Sequence, residues 1–144
     1  MARIRVEAEI RPTESEENVK KAVLNLFEPV DMEIVGKGRY RRLVAESNSL
    51  RSLEKLHMLL RQERVLDAAR RKMRQGMRAR LIEFKLHKQA AYVGHLSFID
   101  SDDESPLGAI TFIIEAEDPK SIIDWLAPRT SHGKPLWEKR RPEP

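Results

Sequence analysis

Residues 3–11 read Arg3-Ile4-Arg5-Val6-Glu7-Ala8-Glu9-Ile10-Arg11. Ile4, Val6, Ala8 and Ile10 fall on one side of an extended chain and the charged residues on the other, which is the period-two pattern of a half-buried strand. Pro12-Thr13 ends it. Thr13 and Glu16 have capping-box spacing, and Glu14, Glu16 and Glu17 suit the positive end of a helix. That helix is expected to run to about Phe27, with Val19, Ala22, Val23, Leu26 and Phe27 on one face.

Further along, residues 31–35 and 39–46 read as two strands joined by Gly36-Lys37-Gly38, whose glycines supply the positive φ angles of a tight connection. Ser47-Asn48-Ser49 offers a helix N-cap. A long helical region follows, with Leu50, Leu53, Leu56, His57 and Leu60 on its apolar stripe. The pattern breaks near 62–64, resumes through Val65, Leu66, Ala69, Met73 and Met77, and stops at Gly76. Residues 81–86, 92–99 and 109–116 read as strands, with an acidic loop over 100–107. Asp118-Pro119 opens a short helix carrying Ile122, Ile123, Trp125 and Leu126, which Pro128 stops. Strands and helices segregate instead of alternating, which favours an α+β fold. The expectation is one domain over 1–128 and a surface tail over 129–144 anchored by Trp137. Its sheet is mixed or antiparallel, packed on one face by the long helical region and two shorter helices.

A chain of 144 residues builds one core. Charged residues make up 35%, against the usual quarter, so that core wears a heavily charged coat. No apolar run is long enough for a membrane span. Without cysteine there is no disulfide framework, no Cys-based zinc site and no thiol nucleophile, which suits a reducing compartment. Met1-Ala2-Arg3-Ile4-Arg5 has no apolar signal-peptide core. The chain reads as cytoplasmic.

The net charge of +4 conceals an asymmetry. Residues 61–88 hold ten basic and three acidic side chains, a net of +7, whereas residues 99–128 hold one basic and eight acidic, a net of −7. Such blocks steer an anionic partner to one side, or pair with each other inside the molecule or across a dimer. At helical spacing Arg64, Arg70, Arg71, Arg74 and Arg78 share an arc facing away from the apolar stripe. Arg80, Lys85 and Lys88 prolong the basic run. Guanidinium groups suit phosphate because they are planar, always charged and forked. The same arc also reads as a solvated helix face, partly neutralised by Glu63 and Asp67. Lys37, Arg39, Arg41 and Arg42 form a second cluster, which reads either as a phosphate rim or as charge protecting an edge strand. Gly36-Lys37-Gly38 is too short for a P-loop.

No histidine pair has metal-ligand spacing, and the run Asp100 to Glu104 lacks the glycine and terminal glutamate of a calcium loop. His57 reads as a core or interface residue. No nucleophile stands beside a base. Neither a cofactor, a metal nor catalysis is expected. Aromatic residues are few and follow no RNA-recognition pattern, so an RNA partner would be read by backbone and shape, not by stacked bases.

Five stretches together carry a resemblance: Ile4 to Glu14, Arg64 to Arg70, Leu86 to Gly94, Asp102 to Gly108 and Ile123 to Pro128. Over about residues 1–135 the chain resembles a small archaeal family of uncharacterised proteins described as predicted RNA-binding proteins or predicted exosome-associated subunits. Their fold is similar to that of ribosomal protein L-five. The resemblance implies a partner of structured RNA, and the basic residues read as its phosphate contacts: Arg64, Arg70, Arg71, Arg74, Arg78 and Arg80, with Lys37, Arg39, Arg41 and Arg42 as a second rim. Lys88 and Gln89 would meet a sugar or base edge. The alternative is a protein–protein module, a homodimer or a subunit of a larger RNA-processing assembly, whose two charge blocks pair across an interface.

Overall fold

A computed structural model describes residues 2–142, so Met1 and the last two residues of the tail fall outside it. Its main sheet is antiparallel throughout, with strands β1 (Arg3–Ile10), β2 (Asp31–Val35), β3 (Arg41–Ser47), β4 (Met77–Arg78), β5 (Leu81–His87), β6 (Phe98–Ile99) and β7 (Ala109–Glu115). They run in the order β2-β3-β1-β7-β5-β4, and β6 also pairs with β5. The helices are α1 (Glu16–Leu24), α2 (Glu54–Gln62), α3 (Leu66–Gln75), α4 (Lys88–Tyr92) and α5 (Pro119–Leu126). Two-residue strands β8 (Thr130–Ser131) and β9 (Lys134–Pro135) make a hairpin in the tail. The α+β class expected from the sequence is the one observed.

Alternation decides which face is covered. Ile4, Val6, Ala8 and Ile10 are all buried, as are Ile82, Phe84 and Leu86 of β5 and Ile110, Phe112 and Ile114 of β7. They meet Val19, Leu26, Leu53, Leu60 and Met73 from the helical side in one core. Phe112 is central: Phe84 stacks on it at 5.0 Å and Phe27 meets it edge-on at 5.9 Å. The opposite face carries Arg5, Glu7 and Arg42, tied by Arg5–Glu7 and Arg42–Glu7 contacts of 3.2 and 3.1 Å.

Local chemistry sets the boundaries. The N-cap of α1 is Ser15, which accepts from the Asn18 amide, and not the expected Thr13. Glu14 is occupied elsewhere, accepting from the Arg11 amide and from Lys88. The break between α2 and α3 falls at Arg64, whose φ of +56° is left-handed. Asp118 caps α5 with Pro119 in its first turn, as expected. Gly76 ends α3 where the chain passes tight against β5: a Cβ there would lie 1.8 Å from the Glu83 carbonyl oxygen. The stretch over 92–99 is not one strand. The chain coils into α4 first, capped by the His87 ring accepting from the Ala90 amide, and only Phe98–Ile99 pairs with β5.

Four carbonyls at the end of α5 accept from side chains of other elements. Trp137 Nε1 reaches the Asp124 carbonyl at 3.3 Å, and Arg61 reaches those of Trp125 and Leu126 at 3.2 and 3.0 Å. Arg70 reaches the Ala127 carbonyl at 3.0 Å. A helix leaves these groups unpaired, and cations suit its negative end.

Candidate nucleic-acid interface

The basic block from 61 to 88 divides into side chains used inside the molecule and side chains left in water. Arg70 lies four residues after Leu66 and three before Met73, which puts it at the edge of the buried stripe of α3. Its guanidinium is 3.0 Å from Asp124 Oδ1 and 5.9 Å from the Trp137 ring centre, and the side chain is 11% exposed. Asp124 Oδ1 has no well-angled hydrogen bond and is held by charge, with Lys139 3.7 Å from its other oxygen. Arg70 therefore cannot be a phosphate contact, which corrects the expectation for that residue.

Lys88 is corrected in the same way. Only 3% of it is exposed. Its ammonium donates to the carbonyls of Glu9 at 2.6 Å and Leu107 at 2.5 Å and to Glu14 at 3.0 Å, so all three protons are taken. Burial draws its pKa below the ordinary lysine value, and Glu14 opposes that pull. It ties the end of β1, the acidic loop and the entry to α1 together. The adjacent Gln89 is exposed.

Two further cations join the basic block to the acidic one: Lys72 binds Asp100, and Lys85 lies 3.2 Å from Asp102. Arg61 bonds Glu138 at 2.6 Å and holds that carboxyl below its ordinary pKa. This leaves Arg64, Arg71, Arg74, Arg78 and Arg80. All five are exposed and have no acidic partner among the described residues. Arg71 and Arg74 share the outer face of α3, and Arg78 and Arg80 follow at the β4–β5 turn, where Ala79 has φ +53°. These exposed arginines, from the entry of α3 through its outer face to the turn after it, make up a basic ridge.

The second cluster is divided too. Arg41 is bound by Glu16 and Arg42 by Glu7, whereas Lys37 and Arg39 are exposed without an acid among the described residues. Arg39, together with Glu9, Arg11 and Tyr40, borders a concavity of about 560 Å³ at the end of β1. Neither Arg11 nor Tyr40 was singled out by the sequence. A strand-end arginine followed by Pro12 gives no signal, and the exposure of Tyr40 depends on a 3₁₀ turn over Gly38–Tyr40.

Among the described residues no three His, Asp or Glu side chains could share a metal ion, and no helix is long and apolar enough to cross a membrane. His57 stacks on Trp125 at 5.0 Å with its Nε2 sealed from water and unpartnered.

A family model described as RNA binding matches residues 3–116. The chain is 52% identical to a UPF0201 protein of Metallosphaera sedula over 143 residues, with 99% of each chain covered. It is likewise 52% identical to a UPF0201 protein of Aeropyrum pernix over 142 residues, covering 98% of this chain and 95% of that one. The crystal structure of a UPF0201 protein from Methanococcus jannaschii superposes with a TM-score of 0.82 at 34% identity, covering 93% of this chain and 98% of the other. The chain thus belongs to the archaeal family made up by these UPF0201 proteins, the family whose model bears the description RNA binding.

Proposed function

We propose that this chain is a binding protein and not an enzyme, and that it holds structured RNA by its phosphate backbone along the ridge of α3 and the turn after it. The observation that carries this reading is the row Arg64, Arg71, Arg74, Arg78 and Arg80, exposed and without an ion-pair partner among the described residues. Arginine forks grip phosphate without reading sequence, so affinity comes with little base discrimination. The description of the family model points the same way.

The rival reading, a module whose two charge blocks meet across an interface, has less to work with, because Arg70–Asp124, Lys72–Asp100 and Lys85–Asp102 already join them within one chain.

The test is a titration of a labelled RNA hairpin at rising salt, with the wild type and with a variant carrying Arg71→Gln, Arg74→Gln and Arg78→Gln. Each neutralised phosphate contributes slightly under one unit of log–log slope. The wild type should show a slope of several units, and the variant should bind more weakly with a slope lower by about two to three. Tight binding without salt dependence, or an unaffected variant, overturns the reading. A concentration-dependent dimer that ignores RNA favours the rival.

A further inference from the structure

We propose that the concavity beside the β2–β3 connection is a site for one unpaired nucleotide, with its base stacked on Tyr40 and its phosphate held by Arg39 and Arg11. This rests on the reading that the chain binds RNA, and it adds a kind of contact that the ridge of α3 does not provide.

The turn is built to present a ring. Gly36 has φ +89°, and a Cβ there would lie 2.2 Å from the Tyr40 carbonyl oxygen, so the two backbone segments pack directly against each other. The Tyr40 amide donates to the Lys37 carbonyl at 3.1 Å, closing the turn. With its backbone occupied inward, Tyr40 directs its ring outward and is 80% exposed. A large aromatic face in water is an unused apolar surface, and every nucleobase has a π-face to cover it.

The charges around it fall into two sets. Arg41 and Arg42 are fixed by Glu16 and Glu7 and shape the wall. Arg39 and Lys37 are uncommitted among the described residues. Arg11 is half committed: its Nε is buried and lacks a hydrogen bond, and the nearest carboxylate, Glu9, is 3.5 Å away. The side chain is 39% exposed, which leaves the outer part of the guanidinium open to a phosphate oxygen. At about 560 Å³ the hollow is of ligand size. A simple anion would use the guanidinium groups and leave the ring bare. A nucleotide uses both, which is why the site points to that class.

Two RNAs separate this inference from its foundation. One is a blunt hairpin, and the other is the same hairpin with a six-nucleotide single-stranded 3′ extension. Binding is measured by fluorescence anisotropy for the wild type, Tyr40→Ala, Tyr40→Phe and Arg39→Gln, with inorganic phosphate as a competitor. The wild type should prefer the extended hairpin by about tenfold. Tyr40→Ala should abolish that preference while leaving the melting temperature and the blunt-hairpin affinity unchanged. Tyr40→Phe should keep the preference, and Arg39→Gln should reduce both the preference and the salt slope for the extended RNA. If both RNAs bind the wild type equally and Tyr40→Ala changes nothing, the nucleotide site is wrong and the ridge stands. If phosphate competes equally with wild type and Tyr40→Ala and the extension gives no advantage, the hollow is an anion site only. If neither RNA binds, both readings fall together.

Discussion

Arg70 and Arg71 are adjacent in the chain and lie on different faces of α3. Arg70 is sealed between α3 and α5, with its charge set against Asp124 and its protons on a helix end. Arg71 stands in water with no acid among the described residues. A rotation of about 100° per residue separates a cation that the fold requires from one that it merely carries. Composition cannot see this distinction, because the two residues add equally to the basic block. The inner face of α3 is where charge serves architecture, and the outer face is where charge is left uncommitted among the described residues.

The harshest way to break the comparison is to remove an inner cation. Arg70→Ala leaves Asp124 buried without its partner and the Ala127 carbonyl without a donor, which should cost about 3–5 kcal/mol in urea denaturation. Combining Arg70→Met with Asp124→Leu should recover most of that loss, since well-packed apolar groups often replace a buried ion pair without penalty. Equal costs for Arg70→Ala and Arg71→Ala would erase the distinction between the two faces.

A milder probe is pH. Burial, and then the Arg61 charge, lowers the pKa of His57 below the ordinary imidazole value of 6.5. The unfolded chain takes up a proton near that value while the folded chain resists it, so stability is full above it and declines as pH falls below it. Melting curves between pH 8 and pH 5 should show this decline, and His57→Phe should flatten it.

The smallest expected effect falls on the outer face. The variant with Arg71→Gln, Arg74→Gln and Arg78→Gln should melt within about 0.5 kcal/mol per site of the wild type, since glutamine has nearly the helix propensity of arginine. A large loss would mean that the ridge has hidden partners.

The inward faces of β1, β5 and β7 were readable because period-two alternation and burial are the same fact seen twice. The break before α3 was readable because the apolar stripe changes register there. Helix α4 was not, since five residues are too short to show a period, and Tyr92, Val93, Leu96 and Phe98 look like strand material whichever way the backbone turns. The two misplaced site residues did carry signals. Lys88 continues the inward series Ile82, Phe84 and Leu86, and Arg70 stands four residues from Leu66 while Asp124 interrupts an apolar run. Their aliphatic neighbours were legible, but the pairing of Arg70 with Asp124 and of Lys88 with Glu9 and Glu14 was not, because it depends on tertiary placement. Tyr40 is hidden for a similar reason: only the closed 3₁₀ turn decides that its ring points outward.

The end of α5 bears on how the molecule assembles. Its carbonyls find donors on α2, α3 and the tail, and none within the helix itself. An isolated segment over 119–127 would fray from that end, so α5 gains its order only when it docks on two helices made earlier in synthesis. Its opening is then tied to theirs, as one cooperative unit. Amide hydrogens of α5 should exchange at the rate of those in α2 and α3, and Arg61→Ala should speed exchange in α5 more than in β1 or β7.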